Sequence, residues 1–206
     1  MTAPRTELRA FAETDVEDAG RLLAARHRRH REASPALDPA FEDGAAAAAQ
    51  VEDAWRAPAA SGAVATRGGE LVGFVLGSRK HDAFWGPNVW VESAGHAATE
   101  PELVRDLYAL AAARWAEEGR TRHTVLVPAD DLALVDAWFR LGFGAVFPEA
   151  RGRGVGAALA HEVFRYAGRE RYPTVAVDWR MTNLLASRAW PQLGFRPTFY
   201  RLHRSL

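Results

Sequence analysis

The residues best suited to chemistry lie between Val146 and Gly156, in the run Val-Phe-Pro-Glu-Ala-Arg-Gly-Arg-Gly-Val-Gly. Gly152, Gly154 and Gly156 alternate there with Arg151, Arg153 and Val155, and an amphipathic stretch follows with Leu159, Val163 and Tyr166 at helical spacing. A helix that starts at this point presents unpaired backbone amides and the positive end of its dipole, an arrangement that binds anions. Glycine lets phosphate oxygens approach without meeting a Cβ and permits the left-handed conformations of a cradle. The two arginines add charge. Phosphate or pyrophosphate binding is the chemistry expected of this segment. A plain turn has the same composition, and so does a disordered Arg-Gly RNA-binding segment. The RNA-binding reading is weakened because no aromatic residues interleave with these glycines and they lead straight into a helix.

Other residues of chemical interest are scattered. The 206-residue chain has no cysteine, which removes disulfides, thiolate metal sites and a cysteine nucleophile together. His96 and His161 have no partner at metal-ligand spacing and read as satisfied or solvated side chains, so no metal is expected. Arg26-His-Arg-Arg-His-Arg31 reads as the solvated C-terminal end of a helix, where cations suit the dipole. Lys80 is the only lysine among 26 basic residues, and Glu92 reads as a solvated strand carboxylate. The formal net charge is zero and the pI about 7.1, which gives no reason to expect nucleic acid or an anionic membrane as partner. The N-terminus lacks an apolar leader core and no apolar run would span a bilayer, so a cytoplasmic protein is expected.

These residues must be positioned by an α/β pattern. Leu8 to Phe11 is a strand candidate, and Thr14-Asp-Val-Glu17 forms a capping box for a helix carrying Val16, Ala19, Leu22 and Leu23. Ala45 to Trp55 reads as a second helix. Ala63–Thr66 and Glu70–Leu76 flank the turn Arg67-Gly-Gly69 as a hairpin, and Asn88 to His96 as a further strand. Thr99-Glu-Pro-Glu102 is a second capping box, opening a helix that stops at Gly119. His123–Val127 is a strand and Leu132–Leu141 a helix closed by Gly142. The last third repeats the theme: a helix from Gly154 to Ala167, a strand at Thr174–Val177, a helix from Asn183 to Leu193 closed by Gly194, and a strand at Thr198–His203. The order implies a mixed sheet flanked by helices.

An internal repeat underlies the second half. Ala137-Trp-Phe-Arg-Leu-Gly-Phe143 recurs as Ala189-Trp-Pro-Gln-Leu-Gly-Phe195. The matching strands upstream stand two residues out of register. The helix of the first copy opens on the carboxylates of Thr99–Glu102, whereas that of the second opens on Arg151–Gly156. Only the second start suits an anion.

Around the glycines the chain resembles the GNAT acetyltransferase superfamily. Val146, Pro148, Glu149, Arg151, Gly154 and Gly156 match its loop signature after the fourth strand, and Asn183, Ala186, Leu193, Gly194 and Phe195 match a second signature on the following helix. Gly69-Glu-Leu-Val-Gly-Phe74 resembles its second and third strands. The resemblance implies a mostly antiparallel mixed sheet with flanking helices and acetyl-CoA as cosubstrate. The amides of Arg151, Gly152, Arg153, Gly154, Val155 and Gly156 would hold its pyrophosphate. The strand edge at Val146 and Phe147 would pair with the pantetheine amides, and Asn183 would hydrogen-bond the pantetheine arm. The reaction implied is attack of an amine, from a small molecule or a peptide, on the thioester, with a base and an acid to move protons.

Two departures accompany the resemblance. The family's usual acid is a tyrosine at the position of Trp190, whose indole N–H does not release a proton at neutral pH; Ser187 and Tyr200 are alternatives with nothing specific to recommend them. The second copy also lacks its own first strands. Residues 1–145 read as a GNAT-like unit with a degenerate anion loop, and residues 146–206 as the back half of another, as if a tandem protein had lost an internal segment. The missing sheet would come from the first copy, from a second chain in a homodimer, or not at all. The expected function is N-acetyl transfer. The alternative is a catalytically impaired acyl-CoA-binding or interaction module.

Overall fold

The computed structural model describes residues 5–82, 86–145, 163–176, 190–191 and 193–205. The chain divides into two compact units, Met1–Gly144 with Pro197–Leu206, and Ala145–Arg196. No helix among the described residues is long and apolar enough to cross a membrane.

In the first unit β1 (Thr6–Ala10) leads through a short turn of 3-10 helix to α1 (Val16–Ala33) and α2 (Gly44–Arg56). Then come β2 (Ser61–Arg67), β3 (Glu70–Asp82), β4 (Gly86–Val91) and β5 (His96–Ala98). After α3 (Leu103–Glu117) the chain forms β6 (Arg122–Pro128), α4 (Leu132–Arg140) and the two-residue β7 (Gly144–Ala145); β8 (Phe199–Ser205) follows the second unit. The sheet runs β1-β2-β3-β4-β6-β8-β7, with β5 paired to β3. The pairs β1–β2, β2–β3, β3–β4, β3–β5 and β6–β8 are antiparallel, whereas β4–β6 is parallel. This is the mixed, mostly antiparallel sheet with flanking helices that the sequence implies.

Strand alternation sends successive side chains to opposite faces. On one face Val64, Phe74 and Leu76 join Leu23, Val51 and Phe11 under α1 and α2. On the other, Ala63, Ala65 and Val75 join Leu107, Trp115, Val125 and Trp138 under α3 and α4. α1 and α2 approach closely enough that a Cβ at Gly20 would lie 2.5 Å from the Ala48 Cα. A side chain there would force the helices apart.

Several local expectations are corrected. The box at Thr14 does not form: Asp15 accepts the Ala12 amide at 2.9 Å and pairs with Arg9 at 2.5 Å, so the carboxylate one residue after Thr14 takes the cap. Nor does the box at Thr99, whose hydroxyl donates to the Val72 carbonyl at 3.2 Å and ties the loop to β3. The strand expected from Asn88 to His96 breaks at Glu92, where Gly95 N–H closes a turn on the Glu92 carbonyl at 2.8 Å.

The second unit is described in part. Residues 163–169 are helical, as the amphipathic pattern predicts, but Val163 and Tyr166 are exposed and Ala167 is the buried side chain. The strand expected at Thr174–Val177 is absent over residues 174–176. Among the described residues this unit has no sheet for such a strand to join or for those side chains to cover. The division by sequence assigned residues 199–205 to this half. The structure pairs β8 with β6 of the first unit instead, from Arg122 opposite Ser205 to Pro128 opposite Phe199, and buries Leu202 completely.

Candidate functional site

Val146, Phe147, Arg151, Gly152, Arg153, Gly154, Val155, Gly156 and Asn183 lie outside the described residues, as do Glu149, His161 and Ser187. The site features open to geometric description belong to the first unit.

β4 and β6 run side by side only from Val89 opposite His123 to Val91 opposite Val125. Beyond that point β4 ends, and β5 pairs with β3 while β6 continues beside β8. A fork between strands leaves backbone groups without ladder partners, and buried ones must be satisfied elsewhere. Here the chain satisfies them itself. His96 is wholly buried and its Nε2–H donates to the Leu126 carbonyl across the fork at 2.8 Å. Arg26, buried on α1, donates to the carbonyls of Ser93 at 2.5 Å and of His96. Burial pushes the His96 imidazole down to about 3, with the Arg26 charge pushing the same way. Burial also lowers Arg26 to about 10. His30 lies one turn further along α1; its Nε2 approaches the Thr198 carbonyl at 2.9 Å and an Asp130 carboxylate oxygen at 3.2 Å. Desolvation lowers its pKa against the opposing pull of Asp130. The basic run is a solvated helix end only in part: Arg28 and Arg29 are exposed, whereas Arg26 and His30 face inward to carbonyls that distant segments present.

The start of α3 is the position that the expected repeat matches to the anion loop, and its residues do not fit a phosphate. The Leu103, Val104 and Arg105 amides are already donated to the carbonyls of Glu100, Pro101 and Glu102 at 3.1, 3.1 and 3.2 Å. An anion would also meet two carboxylates. Glu100 pairs with Arg67 at 2.6 Å, which holds its carboxyl below the ordinary value, and Glu102 pairs with Arg140 at 3.2 Å. The amides at the start of α3 are thus used within the chain, and at the fork the Leu126 carbonyl is taken by His96.

A cavity of about 320 Å3 opens on the α1–α2 face, lined among others by Asp53 of α2, Ser78 and Lys80 of β3, Trp90 of β4, and Glu92. Along β3 the residues on this face change from Phe74 and Leu76 to Ser78 and Lys80, and the apolar core gives way to the cavity at that change. Glu92 is paired with Lys80, both half-exposed, so it is a partly solvated carboxylate that also lines the cavity. Asp53, Lys80 and Trp90 were not singled out from sequence as site residues. The polar turn of that alternating face was the available signal.

The repeated segment is described at 137–143 in full and at 190–191 and 193–195 in its second occurrence. Phe143 N–H donates to the Trp138 carbonyl at 3.4 Å, and Phe195 N–H to the Trp190 carbonyl at 3.1 Å. Gly142 and Gly194 take φ of +81° and +89°. The Trp138–Phe143 rings stand 5.0 Å apart at 80°, and the Trp190–Phe195 rings 5.3 Å apart at 82°.

No protein-family model matches the chain, and no curated protein matches it in sequence. Solved structures do resemble it. Aminoglycoside N-acetyltransferase AAC(6')-Iy, solved in complex with CoA, superposes with a TM-score of 0.54 at 18% identity, covering 74% of this chain and 96% of its own. A GCN5-related N-acetyltransferase from Ralstonia eutropha JMP134 gives 0.53 at 16% identity, covering 73% and 99%. An acetyltransferase from Streptococcus agalactiae 2603 gives 0.56 at 12% identity, covering 98% of each chain. The likeness is one of fold: the chain has the architecture of GNAT N-acetyltransferases.

Proposed function

We propose that the chain is an N-acyltransferase that moves an acetyl group from acetyl-CoA to an amine of a small molecule or peptide. The observation that carries this reading is an acetyltransferase sheet in a chain whose remaining segment contains Val146–Gly156. Since the start of α3 does not fit a pyrophosphate, the reading assigns the cofactor to the second half alone. Arg151 to Gly156 would bind the pyrophosphate through their amides, Val146 and Phe147 would offer a strand edge to the pantetheine, and Asn183 would hydrogen-bond its arm. The helix at 163–169 supports a loop that opens a helix. Acetyl-CoA supplies an acetyl group already activated as a thioester. The chain's part is to hold the amine in line with it and to move protons.

A second reading, an acyl-CoA-binding module without turnover, is favoured by Trp190. Its ring is half-buried edge-on to Phe195, which suits an anchor for its helix rather than an acid. Descent from a tandem protein by internal deletion is part of the proposal. It is supported by the two matching turns and by the single terminal strand, β8, which closes the first unit's sheet. An uninterrupted longer reading frame in the transcript would end that idea.

Acetyl-CoA at a hundredfold excess over Kd should raise the unfolding midpoint by the equivalent of about 2.7 kcal/mol. Gly154→Trp should abolish the rise, and no stabilisation of the unsubstituted chain by millimolar acetyl-CoA would sink the cofactor assignment. Thiol release with a panel of amines then separates the readings: a chain that binds acetyl-CoA yet releases no thiol is the module.

A further inference from the structure

The cavity beside β3 contains a cation of the chain's own. The Lys80 ammonium is paired with the Glu92 carboxylate and stands 4.8 Å from the centroid of the Trp90 ring. A carboxylate together with an aromatic face is the combination that recognises an ammonium group. Asp53 adds a second carboxylate to the lining, and Ala54, Leu76 and Ala94 add apolar surface.

We propose that this cavity binds a small primary alkylammonium ligand and that Lys80 fills the cation subsite until the ligand arrives. The Lys80 and Glu92 side chains are 45% and 39% exposed, so the pair parts at little cost. The four-carbon stem of Lys80 lets its ammonium swing into water. What remains is an indole face and two carboxylates around about 320 Å3, the small end of the ligand-pocket range. Arg26 holds the Ser93 and His96 carbonyls, and so fixes the turn that follows Glu92 before any ligand binds. An anionic ligand would meet Asp53 and Glu92 and is disfavoured. Binding itself does not depend on the acyl-transfer reading; that the bound amine is the acyl acceptor does rest on it.

Lys80 is the only lysine, so reductive 13C-methylation labels this side chain and the N-terminal amine alone. Methyl groups over an indole face resonate upfield. Titration of the full chain with n-butylammonium chloride, without acetyl-CoA, should move the Lys80 resonance to its solvent-exposed position and saturate. Sodium butyrate and sodium chloride at matched ionic strength should leave it in place. By calorimetry Lys80→Met should bind butylammonium about tenfold more tightly, because the competing cation is gone. Glu92→Gln should lose the binding. An unmoved resonance, an equal response to sodium, or a Lys80→Met variant that binds no more tightly would overturn the proposal. Displacement of Lys80 without acetylation of any amine would leave the cavity standing and remove the acyl-transfer reading. Acetylation of an amine that never displaces Lys80 would keep the acyl-transfer reading and overturn the identification of this cavity's ligand with the acceptor.

Discussion

A helix stop with the same tryptophan, glycine and phenylalanine occurs in both units, and its two settings differ more than the geometry of those residues. At each copy a tryptophan carbonyl accepts the amide of the phenylalanine five residues on, a glycine takes positive φ, and the two rings meet edge to face. Trp138 is nevertheless wholly buried, with His96, Tyr108 and Phe143 around its ring, while Trp190 is half-buried. The local motif encodes the helix stop. The sheet packed beneath it decides what the stop is worth.

Substituting both tryptophans is the strongest way to break this contrast. Trp138→Ala should destabilise the first unit by about 3–5 kcal/mol, the range for a buried aromatic. Trp190→Ala should cost the second unit roughly 1 kcal/mol, because less apolar surface leaves water there. Equal losses in chemical denaturation, read by probes placed in each unit, would mean that burial does not distinguish the turns.

The second largest effect is acid sensitivity, confined to the Trp138 side. His96 has a folded pKa lowered from 6.5 to about 3, so below pH 6.5 the unfolded chain takes up a proton that the folded one refuses. Stability should be full above pH 6.5 and fall as pH drops towards 3, at no more than about 1.4 kcal/mol per unit from this group. His96→Phe should reduce that slope for the first unit to what His30 and Glu100 still contribute, and leave the second unit's pH profile unchanged. A slope as steep in His96→Phe as in the unsubstituted chain would place the acid response elsewhere.

Smaller and symmetric losses are expected at the glycines. Gly142→Ala and Gly194→Ala each force a Cβ into the left-handed region and should cost about 1–2 kcal/mol. A loss at only one of them would show that the turns are alike in form and unlike in strain. Smallest of all is Arg140→Gln, which gives the first turn the residue found at the matching position, Gln192, and removes the exposed pair with Glu102. Thermal unfolding should change by less than about 0.5 kcal/mol.

Much of the fold could be read from local pattern. The helix expected over Ala45–Trp55 is observed at Gly44–Arg56, and the hairpin around Gly68 and Gly69 forms where alternation and turn residues place it. Most of the misses share one cause, which is partners far away in sequence; the lost cap at Thr14 is the local exception. Nothing near Arg26 or His30 announces the carbonyls of Ser93, His96 and Thr198 that draw them inward. Thr14 loses its cap to Asp15, which Arg9 of the preceding strand also holds. The cavity needs α2 laid across β3 and β4, and no window of sequence contains all three. The terminal strand could be recognised as a strand from its residues, but its partner could not.

That partner has a consequence for the order in which the molecule is made. β6 leaves the ribosome well before β8, with the whole second unit in between. Until residues 199–205 follow, the β6 edge presents open backbone donors and acceptors to any extended chain nearby. The first unit thus spends much of its synthesis one strand short, and its sheet closes only through a contact of long sequence separation, the slow kind to form. A nascent chain stalled inside the second unit would carry a nearly finished domain with an adhesive edge.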